Sequence, residues 1–574
     1  MINYDTAALW SLLRRMVTGI FSFLYLSVFL PANSADANHL VITGPADITL
    51  EPILSSGWAC YIQDDSLYVR TVKTDPVKII SGTEAGGTIL NPDMKVLDKS
   101  VFVVWTERGM GNHRVKFTAL QYDTTAPLRK DMLLSQSTKS SYAKFLAEEK
   151  GRLYVLEILS DQIPEINLHL SLDYGKIFQK TRLDMNSSGA FFNVQPLVIH
   201  DVLYIFYAFS RDEKTFIAMS SFDIPAMTLR ESKVLKETDG ISFIQSVRVN
   251  DKPMVIYKTA SRNKYCLEGF IQQNTSWDAF RITGAEGLDV ARMDSYVWKD
   301  GRILIVFSGG ESGKFSQRIY ASVSEDDGKH WDMKRIDSRE SEHTRSWLPR
   351  MAVDGEKVSV AWEDARDIRS AVRTRLSSDR GETWIKKDFP VSDTKYNTLR
   401  PRISFADGMF TIAWHQFRND ERDTADLVMR PLSWNDAVMM TSQKEPPVAA
   451  GEKEKLLRER INAYWEGMIK KDTKRTYEIH DPFFKAKIPF EYYVSHRGPM
   501  VYHSHTIEAV KIEGNIARVK IRVKYEVPKI RMLGKETSVP PTEVVAEDVY
   551  IHMDGTWFRQ FIDTLSGGST IDYE

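Results

Sequence analysis

Two segments of this 574-residue chain, 52 residues apart, follow one template. The first reads Leu348-Pro349-Arg350-Met351-Ala352-Val353, then Asp354-Gly355, then Val358 to Trp362. The second reads Arg400-Pro401-Arg402-Ile403-Ser404-Phe405, then Asp407-Gly408, then Phe410 to Trp414. In each, an arginine after proline stands twelve residues before a tryptophan, and another arginine (Arg366, Arg418) follows four residues later. A fixed period of this length constrains a chain strongly. One repeat cannot bury its own apolar face and must stack on its neighbours.

Weaker copies extend upstream. Val101 to Trp105 is followed by Arg108, Leu203 to Tyr207 by Arg211, and Met254 to Tyr257 by Arg262. Ile303 to Phe307, Leu153 to Leu156 and Gly57 to Tyr61 complete eight register positions between about 45 and 440. Each unit holds four short strand-like runs separated by turn residues. This pattern predicts an all-β propeller over 40–440. Eight blades is the count; seven is the alternative, because the first copy is degenerate.

A turn motif, Ser-x-Asp-x-Gly-x-x-Trp/Phe, occurs as Ser171-Asp173-Gly175-Phe178, Ser324-Asp326-Gly328-Trp331 and Ser377-Asp379-Gly381-Trp384. The aspartate accepts backbone N–H groups across such a turn, the glycine permits positive φ, and the ring plugs the unit. Degenerate copies stand at Ser221-x-Asp223 and Asp123. At these motifs the chain resembles the Asp-box, or bacterial neuraminidase repeat, proteins of the sialidase superfamily. The resemblance covers about 40–440 and implies a structural role for Asp173, Asp326 and Asp379.

Sialidases of that family use an arginine triad, a Tyr–Glu nucleophile pair and an aspartate acid/base. The motif for the first arginine, Phe/Tyr-Arg-Ile-Pro, is absent here, and Asn91-Pro92-Asp93 stands in the equivalent strand. Stepping back twelve residues from each aromatic gives Asp93, Gln195, Gln245, Ser295, Arg350 and Arg402. First strands line a propeller's channel, so these form the expected ligand-binding mouth. Arg350 and Arg402 would hold a carboxylate or sulfate through forked N–H donors, with Asp93 as the alternative partner between them. No spacing joins a nucleophile or a carboxylate pair to this mouth, so no catalytic residue is assigned. The arginine after each tryptophan recurs too regularly for a unique site, and blade-to-blade pairing with acids such as Asp364 and Asp367 is expected instead.

The N-terminus carries a different signal. Arg14-Arg15, an apolar run from Met16 to Leu30, and small residues at Ala32, Ser34, Ala35 and Ala37 describe a signal peptide over 1–37. Secretion or transfer to a periplasm is therefore expected, with no stable membrane span after cleavage. The two cysteines, Cys60 and Cys266, fall in separate repeats, so neither a disulfide nor a cysteine metal site is expected. A net charge of -1 gives no electrostatic case for a nucleic-acid partner.

Composition changes at Lys444-Glu445-Pro446-Pro447, a linker placed at 441–453. Apolar residues at helical spacing predict a helix over 454–470 and a second over 473–479, ended by His480-Asp481-Pro482. Strands are expected at 506–512, 516–527, 539–553 and 556–561, the last two joined by the Asp554-Gly555 hairpin signal. The element order, the Tyr464-Trp465 helix and the Asp481-Pro482-Phe483-Phe484 segment resemble the SnoaL-like, ketosteroid-isomerase-like fold. That resemblance implies a small α+β cone over 454–574. His480 and Asp481 are its candidate acid/base pair, with a capped turn as the plainer reading. His496, His503 and His505 match no metal-ligand spacing.

The expected function is an exported, non-catalytic protein whose propeller recognises a glycan or protein ligand, acidic in character, with no cofactor and no metal. The alternatives are a divergent sialidase-like glycoside hydrolase and an envelope assembly module dimerising through the C-terminal domain.

Overall fold

The computed structural model describes residues 40–42, 52–82, 87–149, 151–160, 164–185, 191–261, 264–311, 316–339, 344–419, 424–441, 450–532 and 535–560. The expected signal peptide lies outside them, as does 442–449 of the expected linker. Among them the chain is mostly strand. Eight four-stranded antiparallel sheets follow one another over 53–81, 88–137, 140–183, 191–238, 241–281, 288–335, 346–390 and 398–433. The last takes Leu40–Ile42 as its fourth, outer strand. The first strand of each sheet contacts the first strand of the next, and Thr398–Ala406 contacts Ile53–Ser55, so the inner strands close a ring. This is a β-propeller, in which the ring leaves only short, protected sheet edges.

The second strand of each sheet reads as a continuous apolar run because both of its faces are covered. Val101 to Trp105, Leu203, Ile205 to Tyr207 and Ile303 to Phe307 are all buried. Trp105, Trp362 and Trp414, the residues that mark the repeat, are fully buried plugs between sheets. Cys60 and Cys266 are free thiols in separate sheets.

Four of the eight first strands carry a register shift at the same place, between Leu90 and Asp93, Phe192 and Gln195, Trp347 and Arg350, and Leu399 and Arg402. The extra residue adopts positive φ at Asn91 (46°), Asn193 (52°), Leu348 (50°) and Arg400 (57°). Left-handed backbone is ordinary for asparagine but strained for leucine and arginine. Proline follows at Pro92, Pro349 and Pro401, where a bulge needs no ladder N–H.

After the propeller come the helices Ala450–Lys470, Thr473–Ile479, Pro482–Lys487 and Phe490–Ser495 and a sheet of Val501–Glu513, Ile516–Met532, Lys535–Met553 and Thr556–Arg559. Leu457, Ile461, Tyr464 and Trp465 pack one face of the long helix onto Val519, Ile521, Val523 and Trp557. The long helix begins four residues before its sequence-based start, and three of the four strands are longer than their apolar cores suggest. Pro482 opens a helix as well as closing one: Asp481 caps it, accepting from Phe484 N at 2.9 Å. The short helix Trp434–Met440, capped by Ser433, is too short to show a period.

Two hairpin turns of the C-terminal sheet grip one propeller loop. Arg369 donates to both carboxylate oxygens of Asp554 at 2.9–3.1 Å. Asn515 donates to Arg366 O at 3.1 Å and to Asp367 Oδ1 at 3.3 Å. Between these contacts Ile368 is buried against Phe483, Ile551 and Met553.

Candidate functional site

The register of the inner strands fixes which residues are equivalent. Asp93, Gln195, Gln245, Arg350 and Arg402 pair with Val104, Phe206, Ile256, Ala361 and Ala413, each one residue before the plugging aromatic. In the sheet 288–335 the same position belongs to Asp294, which pairs with Val306, and not to Ser295. The turn after Trp298 holds one residue more than the two-residue turns of the other hairpins, so counting twelve back from Phe307 lands one position late.

Several of these side chains join neighbouring sheets. Asp93 accepts from Met94 N at 2.9 Å and from Phe145 N, in the next inner strand, at 2.8 Å. Asp294 repeats the arrangement with Ser295 N at 2.9 Å and Met351 N at 3.0 Å. Gln245 donates to Ser295 Oγ at 2.6 Å, Ser246 to Pro196 O at 3.1 Å, and Gly57 N to Ser404 Oγ at 3.1 Å. A buried peptide group needs a partner, and inner strands of different sheets share no ladder. Burial pushes the Asp93 carboxyl up, against the pull of its two N–H donors. Asp93 therefore bonds backbone and not the arginines expected across the ring.

Arg350 and Arg402 are half-buried on adjacent, contacting inner strands at the same register. Beside them Glu363 accepts from Arg400 N, which anchors the left-handed bulge residue to the preceding sheet. Arg345 lies 4.8 Å over the Trp347 ring. Arg345, Trp347, Glu363, Asp364, Ser370 and Leu399 line a narrow cleft at this end of the strands. Sequence reasoning missed Arg345, Trp347 and Glu363, whose offsets do not repeat between copies.

A buried ionic network floors the cleft. Asp364 accepts from Trp362 Nε1 at 3.1 Å, Ser346 Oγ at 2.8 Å and Arg366 at 2.8 Å from both Nε and Nη2. Arg366 also meets Asp388 at 2.9 Å, and Arg373 Nε meets Asp388 at 2.7 Å. Burial opposes the Asp364 charge, but Arg366, Arg373 and Arg339 outweigh it and hold the carboxyl well below its usual range. Arg339 is fully buried and pushed down to about 10 by burial and by Arg318. Two of the recurrent arginines pair within their own sheets: Arg366 with Asp364, and Arg418 with Asp426 at 2.6 Å. This corrects the blade-to-blade expectation, because hairpin partners are nearer than the next sheet. Asp367 pairs with Arg373 at 3.3 Å instead.

The three turn motifs sit at the opposite strand ends and share one geometry. Asp173 Oδ1 accepts from Lys176 N and Ile177 N, both at 3.0 Å. Asp326 accepts from Lys329 N at 3.1 Å and His330 N at 2.9 Å, and Asp379 from Thr383 N at 2.9 Å. The serine hydroxyls accept from Gly175, Gly328 and Gly381 N at 2.8–2.9 Å, with the glycines at φ 79°, 87° and 88°. An added Cβ there would press on Phe117, Met254 or Leu304, each in the preceding sheet. Asp223 accepts from Ala226 N at 2.9 Å in a partial version. A wider cleft, about 510 Å³ in volume, lies at this end beside Arg302, Glu325, Asp326 and His330.

In the C-terminal domain His480 is buried among the rings of Tyr464, Phe484 and Tyr493, and burial pushes it down to about 3. With Asp481 acting as a helix cap, the two do not form a relay. His496 stacks on Tyr492 at 3.8 Å, His503 faces Glu526 at 3.5 Å and His505 meets Asn462 at 2.9 Å, so the three rings serve separate contacts.

No family model and no curated protein matches this chain. Solved structures similar to it include the polysaccharide lyase Uly1, at 9% identity and TM-score 0.40, covering 69% of this chain and 98% of that one. A PL25 ulvan lyase bound to -[GlcA(1-4)Rha3S]- matches at 10% identity and TM-score 0.41, covering 62% and 98%. The intramolecular trans-sialidase from Ruminococcus gnavus matches at 12% identity and TM-score 0.33, covering 64% and 98%. At these values the likenesses carry nothing about substrate or reaction.

Proposed function

We propose that this chain is an exported, non-catalytic recognition protein: an eight-bladed Asp-box propeller that binds an acidic glycan or protein ligand, followed by a cone-shaped α+β domain. The observation that carries the reading is the equivalence of Arg350 and Arg402. They occupy one register position on adjacent inner strands, beside the cleft of Trp347 and Arg345. Two guanidinium groups and an aromatic face suit a planar anion on a sugar ring. The nearby carboxylates support binding without cleavage. Asp364 is held as an anion by arginines, so it is no general acid poised near neutral pH, and Glu363 is engaged by Arg400 N.

The test is calorimetry of the full chain, cleaved after the signal peptide, with oligogalacturonate and sulfated oligosaccharides. Wild type is expected to bind in a salt-dependent way and to release no shortened product. Arg350→Ala with Arg402→Ala is expected to weaken binding at least tenfold with little change in melting temperature. No binding by wild type across these probes, or product release, sinks the reading.

A further inference from the structure

The loop 364–370 connects two places that the chain keeps far apart in sequence. On one side it is gripped by the C-terminal domain through Arg369–Asp554, Asn515 and the apolar seat of Ile368. On the other it is tied to the starts of two inner strands. Ala365 N donates to Arg345 O at 3.0 Å, one residue before Ser346–Asp354, the strand of Arg350. Thr398 N donates to Ser370 O at 2.7 Å, at the start of Thr398–Ala406, the strand of Arg402. Ser370 N donates in turn to Asn397 Oδ1 at 3.1 Å. The loop is thus a staple across the two arginine strands, and its own residues Asp364 and Ser370 wall the cleft.

The staple is also strained. Ile368 holds φ at 73°, a left-handed conformation that a β-branched residue adopts only when its surroundings impose it. The surroundings here are Phe483, Ile551 and Met553 of the C-terminal domain. Asp554 and Gly555 turn at φ 50° and 77°, as the tight hairpin requires, and this turn aims the Asp554 carboxylate at Arg369.

We propose that the C-terminal domain is the positioning element of the propeller mouth. Its hairpin turns hold the 364–370 staple in its strained form and so set the spacing of the strands that carry Arg350 and Arg402. Arg369, Asp554 and Ile368 are positioning residues that touch no ligand. The effect on ligand affinity rests on the anion-binding reading above; the mechanical coupling does not.

The two parts separate in one experiment on the full chain. Native-state hydrogen exchange in Asp554→Ala is expected to speed at Ala365, Ile368, Ser370 and Thr398 at least tenfold. Ile205, Phe206 and Tyr207, in a distant sheet, should keep wild-type rates. Unchanged exchange at the four staple amides overturns the proposal. If Asp554→Ala loses protection everywhere, Arg369→Lys takes its place, since it keeps the charge and loses the paired hydrogen bonds. Binding of oligogalacturonate supplies the second arm. Asp554→Ala removes a negative charge, so simple electrostatics would tighten an anion, whereas the staple predicts several-fold weaker binding. Equal or tighter binding with loosened staple amides overturns the link to the mouth. A wild type that binds neither oligogalacturonate nor the sulfated oligosaccharides removes the anion reading while the exchange result still decides the coupling.

Discussion

The Asp93 carboxylate accepts the backbone N–H of Phe145, 52 residues further along the chain, at 2.8 Å. Asp294 does the same for Met351, 57 residues on, at 3.0 Å. Backbone ladders hold each sheet together, but they stop at its edges. Clips of this kind, with Gln245–Ser295 and Ser404–Gly57, join one sheet to the next at the inner strands and their turns.

Asp93→Ala leaves the Phe145 and Met94 amides without their acceptor in a half-buried junction. It is expected to cost about 1–3 kcal/mol, read from urea unfolding. Asp93→Asn, which keeps one acceptor oxygen, should cost less.

Removing Asp364 should be harsher. Its carboxylate neutralises Arg366 within a buried network, and Asp364→Ala leaves that charge with Asp388 alone. A loss of about 3–5 kcal/mol is expected in urea unfolding. Pairing it with Arg366→Met should recover much of the loss; no recovery would mean that the ionic account is wrong.

Glu157 gives a pH dependence. Burial raises its pKa, but hydrogen bonds from His169 at 3.0 Å and from Ser135 outweigh that and bring it down to about 2. A folded pKa below the unfolded value contributes stability above about pH 4.5, and this is lost as pH falls toward 2. Wild type should lose up to about 3 kcal/mol across that window through this group. In Glu157→Gln the slope should be shallower, which acid titrations of urea midpoints would reveal.

Asp326→Ala removes the acceptor of two turn amides and should lower stability by about 1–2 kcal/mol. Affinity for oligogalacturonate should not change, because the turn lies at the strand ends away from Arg350 and Arg402. A loss of binding at unchanged melting temperature would reverse the structural assignment of all three turn-motif aspartates.

If the chain is exported as proposed, N-terminal sequencing of the protein recovered from its host is expected to begin between Ser34 and His39, with Asn38 first. Recovery of the intact Met1 terminus from membranes would contradict export with cleavage.

Much of the architecture is local information. The 52-residue spacing, the Ser-x-Asp-x-Gly turns and the buried tryptophans are legible because each depends on residues a few positions apart, which the backbone brings together wherever the repeat occurs. The Asp554-Gly555 turn and the helix over 473–479 were readable for the same reason. What the tertiary structure alone decided is who meets whom across a junction. Asp93 finds Phe145 and not an arginine, and Arg366 finds Asp364 in its own sheet. Asp294 displaces Ser295 because one extra turn residue shifts the ladder. Arg369 finds Asp554, 185 residues away, through two turns that no repeat contains. Strand pairing fixes side chains to a face with a period of two, so a single inserted residue redirects every partner downstream. The one-dimensional period records that a junction exists, and the three-dimensional register chooses its bonds.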